Sequence, residues 1–198
     1  MSSKINASTS GVGGLVSSAD NSGILELQSA GITKFTVSQE GAYGTLRLET
    51  AKNATGTAVD FTGIPSWVKR ITVMFAGVST SGTSFGIVQL GDAEGVENTG
   101  YSSVRWGIAG TSPFSNNITN GLAAFGGTAA DLASGQLFIN LVSSTIWVAS
   151  GSVYSAATTG ISHAGSKTLS TTLDRIRITT VNGTDTFDSG IINLLLEG

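Results

Sequence analysis

From about residue 57 onward, apolar residues recur at every second position over short runs, which is the spacing of half-buried strands. In 68–75, Ile71, Val73 and Phe75 fall on one face, and Arg70 and Thr72 on the other. Val59 and Phe61 alternate ahead of a turn at Gly63-Ile64-Pro65. The same pattern places strands over 85–90, 101–108, 136–142 and 145–149, the last two joined by Ser143-Ser144 as a tight hairpin. Fainter strands fall at 152–155 and 168–172. Near the end, 174–180 and 191–196 flank Asn182-Gly183, a strong turn dipeptide. Only 128–134, with Ala129, Ala130, Leu132 and Ala133, has the makings of a helix, and the glycines before it count against even that.

The first 56 residues read differently. Three strand-like stretches, 24–28, 33–37 and 45–49, follow a Ser/Gly/Asn-rich leader whose one apolar piece is Gly14-Leu15-Val16. Strands this short offer too little apolar area to stand alone, so they need cover from other strands or other copies of the chain. The expected fold is all-β. Residues 57–198 are expected to form an antiparallel β-sandwich, jelly-roll-like, and 1–56 an extended, short-stranded N-terminal arm.

Composition narrows the chemistry. There is no Cys among 198 residues, which excludes disulfides, thiolate metal sites and a cysteine nucleophile. One His, His163, cannot build an imidazole cluster within one chain. A net charge of −3 and scattered Lys and Arg give no electrostatic footprint for nucleic acid. No apolar stretch approaches the ~18 residues of a membrane span, and the residues after Met1 lack the apolar run of a secretory signal. The expectation is therefore no cofactor, no metal, no nucleic-acid partner, no membrane insertion and no catalytic residue.

Several constellations bear on that expectation. Gly82-Thr83-Ser84-Phe85-Gly86 matches the nucleophile-elbow spacing, but a strand follows where a helix is needed, and His163 is the one available base. Asp185 and Asp188 offer paired carboxylates of the kind that hydrolyse glycosides, and Asp92, Glu94 and Glu97 offer oxygen ligands for a hard cation. Both groups sit in segments that read as loops, where acids serve as turn formers. Tyr101, Trp106, Trp147 and Tyr154 are candidate surface contacts, because an aromatic ring presents an apolar face for stacking on a sugar. For Trp106 and Trp147, as for Trp67, the favoured alternative is the sandwich core, whereas Tyr101 and Tyr154 are expected at a surface or a subunit contact. Arg70, Arg105, Arg175 and Arg177 are expected on polar strand faces.

Residues 57–75, built around Gly63-Ile64-Pro65-Ser66-Trp67, resemble a segment recurrent in tail-fibre and related structural proteins of tailed bacteriophages and prophages. So does 77–84 just after it; 174–190, with Val181-Asn182-Gly183-Thr184, looks like the closing strands of the same module, and 18–28 is similar to short repeats in fibre shafts. The resemblance implies a virion structural protein assembled in the bacterial cytoplasm. It also implies a homotrimer, attached to tail, collar or capsid through 1–56, with outward loops that touch host-surface glycans. The alternative role within the same family is capsid decoration, a cement protein with no receptor. The family carries no catalytic signature, so no active residue is transferred.

Overall fold

The computed structural model describes the backbone of residues 2–7, 14–18, 25–29, 32–38 and 41–43, and in full residues 46–129, 131–155 and 159–198. The chain divides into two compact units, Met1–Arg47 and Leu48–Glu197. Among the described residues all regular structure is strand, in two units of β-sheet.

In the first unit, β1 (Ser2–Ala7), β2 (Gly14–Ser18), β3 (Leu25–Ser29), β4 (Ile32–Ser38) and β5 (Gly41–Tyr43) form one sheet in the order β2-β1-β3-β4-β5. Its pairs are antiparallel except β1 with β3, which run parallel on the side of β1 away from β2. The expected stretches at 14–16, 24–28 and 33–37 correspond to β2, β3 and β4. Ile24 lies outside the described residues, as do Thr45 of the expected 45–49 and 19–24 of the shaft-like 18–28. A short β6 (Leu46–Leu48) runs across the division between the units.

The second unit is an antiparallel β-sandwich. It begins with β7 (Lys52–Asn53), β8 (Ala58–Thr62), β9 (Arg70–Thr80), β10 (Gly86–Asp92) and β11 (Gly95–Val96). Then come β12 (Tyr101–Ala109), β13 (Ser112–Ile118), β14 (Leu122–Phe125), β15 (Ala133–Ser143) and β16 (Ile146–Ser155). It closes with β17 (Thr159–Thr168), β18 (Arg175–Thr180) and β19 (Phe187–Glu197). The smaller sheet runs β11-β10-β18-β8, with β14 also on β10; the larger runs β13-β12-β17-β16-β15-β9-β19, with β7 on β19.

The two inner faces share one core. Val59, Phe61, Val88, Leu90, Ile176 and Ile178 come from the smaller sheet; Ile71, Val73, Leu137, Ile139, Ile192 and Leu194 come from the larger. Ile71, Val73 and Phe75 do share the buried face that the alternation predicts. Burying each such Ile or Leu contributes about 1.5–3 kcal/mol, so this core carries the fold. The Ser143-Ser144 hairpin is present, with Ser144 at φ 45 in the left-handed region and a bulge beside it.

Two expected elements are replaced. No helix forms at 128–134: Asp131 N–H closes a turn onto the Thr128 carbonyl (3.1 Å), and Ala133 already pairs in β15 (Ala130 lies outside the described residues). Cross-strand partners at Ser155 and Val78 outweigh the local preference of the alanines. The faint strand at 168–172 is likewise absent, because β17 ends at Thr168 and the chain turns toward β18.

Candidate functional site

Strand β17 lies between β12 and β16, and the register fixes what surrounds it. Trp106, Ser162 and Ser152 stand in one row across the three strands; Ile108, Gly160 and Tyr154 stand in the next. Strand alternation turns all six positions to the outer face. There Trp106 is 43% and Tyr154 53% exposed. Neighbouring strands are ~4.8 Å apart, so the two rings flank a floor of roughly 10 Å and face each other diagonally. A side chain at Gly160 would meet nothing within 4 Å, so the floor between Ile108 and Tyr154 is open.

The result is an open groove of about 730 Å³, walled by Trp106, Ile108, Pro113 and Tyr154. Among the described residues no charged one lines it. The Ser152 and Ser162 hydroxyls lie 3.4 Å apart and exposed, ready to share donors and acceptors with a polar ligand. Aromatic walls, neutral hydroxyls and no charge suit a flat, uncharged, hydroxyl-bearing ring.

Of the four candidate aromatics the structure brings Trp106 and Tyr154 together, and it removes the other two from the surface. Trp106 is on the outer face instead of the core. Trp147, 3% exposed, is in the core, across from Leu141 and Lys167. Tyr101, 4% exposed, corrects the surface expectation: its hydroxyl accepts from Leu90 N–H at 2.7 Å and donates to the Glu97 carbonyl at 2.9 Å. Burial pushes this phenol well above its ordinary range.

Beside Tyr101, Lys167 Nζ pairs with Glu97 (2.5 Å), donates to the Thr99 carbonyl (3.0 Å) and sits 5.3 Å from the tyrosine ring centre. Burial pushes the Glu97 carboxyl up, but hydrogen bonds from Lys167 and the Ser170 N–H outweigh it and leave the group below its usual value. Tyr101 is thus a fastener for the 93–100 loop, not a contact. Tyr101→Phe leaves the Leu90 N–H buried without an acceptor, and we expect a loss of about 1–3 kcal/mol, read as a lower urea midpoint at unchanged slope.

The other constellations resolve into structural roles. Ser84 lies in the loop between β9 and β10, where its hydroxyl accepts from Asn182 N–H (3.0 Å), and strand β10 follows it. Asp185 accepts from Asn182 Nδ2 (2.7 Å) and Ser84 N–H (2.9 Å), and these bonds hold its carboxyl below the ordinary range. Asp188 bonds the Ser79 hydroxyl. Asp92 accepts from Glu94 N–H (3.0 Å) and Thr171 Oγ1 (3.1 Å). Among the described residues no three His, Cys, Asp or Glu gather as metal ligands. Arg177 makes a two-pronged pair with Asp60 (2.7 and 2.8 Å), Arg175 bonds Asp174 (2.7 Å), and Arg70 pairs with Glu197 (3.3 Å). Arg105 departs from the polar-face expectation entirely, since it is buried on the inner face.

The sequence reading missed Ile108, Pro113, Gly160 and Ser162 as parts of the groove. A signal was there: 159–168 alternates small residues where a strand lies under bulky neighbours. No protein-family model matches the chain, and no curated protein does either. Fold and groove together define an all-β protein with an uncharged aromatic groove on the outside of a sandwich.

Proposed function

We propose that this chain is a bacteriophage virion structural protein, a fibre or spike component, whose Trp106–Tyr154 groove binds an uncharged host-surface glycan. The observation that carries the reading is the exposure of those two rings over a floor of glycine and serine, with no charged side chain among the described lining residues. Sugar rings present apolar C–H faces to aromatic walls and hydroxyls to serines, which is the chemistry this groove offers. The resemblance of 57–75 and 174–190 to phage fibre modules supports the virion setting, assembly in the bacterial cytoplasm and a trimeric state. In this proposal the N-terminal region attaches the sandwich to other virion proteins, and its short strands gain cover from sister copies.

The test is a glycan array probed with the full chain, Trp106→Ala and Tyr154→Ala. Each substitution removes an exposed ring, so the fold survives while affinity for the bound glycan falls about tenfold or more, equivalent to ~1.4 kcal/mol. A wild-type protein that binds no glycan removes the adhesion reading. Labelling in intact virions then separates tail from head, and a signal confined to capsid faces replaces adhesion with decoration.

A further inference from the structure

The inner face of β12 and β17 holds a polar pair that the groove does not use. Register sets Arg105 directly opposite His163. Arg105 is 5% and His163 1% exposed. The guanidinium lies against two rings, Phe85 at 4.0 Å and Phe114 at 4.8 Å from their centres. Both rings attract it by the cation–π effect. Its N–H donors, however, point outward in the plane, where a ring offers no acceptor.

Both Nε and Nη1 of Arg105 are buried without a hydrogen-bond partner, and so are both ring nitrogens of His163. The Gln136 carbonyl only slightly favours a protonated ring. Among the described residues no carboxylate pairs with Arg105, which loses proton affinity through burial alone. Gly107 and Gly165, the neighbours of the pair along the two strands, and Gly151, across from His163 on β16, carry no side chain that could supply an acceptor. From the other side β14, with Leu122, Ala123, Ala124 and Phe125 all buried, contributes no charge. Arg105 is therefore the one charged group, among the described residues, whose field reaches His163.

We propose that Arg105 and His163 hold a halide-sized anion between the two sheets. A buried guanidinium keeps its charge, because its proton affinity is too high to give up. An interior positive charge with unfilled in-plane donors and no internal carboxylate is what a small anion complements. The imidazole adds an N–H beside it, and the flanking glycines bring no competing side-chain acceptor. The site lies on the opposite face of the sheet from the glycan groove and does not depend on that reading.

Because His163 is the single histidine of the chain, its ring protons report the site without ambiguity in an NMR spectrum. Sodium bromide is titrated into the full chain at pH 7, with sodium gluconate holding ionic strength constant. The expected result is a saturable shift of the His163 ring signals, with the ring's titration midpoint raised by about one unit at saturation. A bromide-soaked crystal should give an anomalous peak within hydrogen-bond reach of Arg105. Arg105→Met should abolish the shift; should that variant not fold, the wild-type titration and the anomalous map decide alone. Ring signals that do not move with bromide, or move equally with gluconate, overturn the proposal and leave ordered water as the partner of these donors.

Discussion

Lowering the pH from 6.5 to 4 in halide-free buffer is expected to remove about 3 kcal/mol of stability from the sandwich, through His163 alone. Burial in the core, helped by the charge of Arg105, lowers the ring's pKa from 6.5 to about 4. Between those values the unfolded chain binds a proton that the folded chain refuses. Stability is therefore complete above pH 6.5 and is lost as pH falls toward 4. Asp92, Glu97 and Asp185 are held below their usual values in the folded state, so their contributions are lost only further down, below about pH 4.5.

The two windows can be separated. Trp67, Trp106 and Trp147 all belong to the second unit, so tryptophan fluorescence during urea unfolding reports that unit alone. His163→Gln should flatten the profile between pH 6.5 and 5 while leaving the acid limb in place. A wild-type profile that is flat in this range, or a variant that loses as much as wild type, would show that the ring is not kept neutral by the fold. Bromide should lessen the loss if the anion site exists, because an anion favours the protonated ring.

How much of this was legible in the sequence depends on what each strand faces. Strands whose apolar residues fall on every second position, such as β9 with Ile71, Val73 and Phe75 and β18 with Ile176 and Ile178, were readable. In β14 four consecutive residues are buried, since it packs with both faces covered, so no period of two exists to be read. In β17 the glycines, serines and His163 resemble a loop. The reason is lateral: β12 and β16 carry the large side chains, and the strand between them must be thin.

The least legible feature was the face of β12. Hydrophobicity alone turns Val104, Trp106 and Ile108 inward and Arg105 outward, and the structure does the reverse. A one-residue shift exchanges every side chain between faces, so whichever positions anchor the strand decide the whole set. Here Tyr101 is tied to Leu90 and Glu97, and Phe85 and Phe114 cover the Arg105 guanidinium. Those long-range contacts bury Arg105 and present Trp106 to solvent. The candidate site exists because this strand disobeys its own amphipathic pattern, which no local reading detects.

The largest loss of stability should come from the core of the sandwich, where Phe125 joins the layers. Its ring meets Phe75 edge-on at 5.5 Å and Phe187 at 6.3 Å, linking β14 to β9 and β19. Gly86 pairs with Phe125 at the bulge between β10 and β14, and a methyl group there would lie 2.1–2.3 Å from the ring carbons. Contact that close cannot be absorbed without moving the ring out of the cluster. Phe125→Ala should cost about 3–5 kcal/mol, through lost burial and the cavity left behind. Gly86→Ala should cost about 1–3 kcal/mol by the opposite route, overpacking. The double substitution should cost less than the sum by at least ~1 kcal/mol, because the methyl group added in place of Gly86's hydrogen then occupies space the ring has vacated. Urea unfolding of the four proteins measures that coupling. Strict additivity would mean that Gly86 is required for its backbone and not for the ring above it, and that β10 and β14 close the sandwich without depending on that contact.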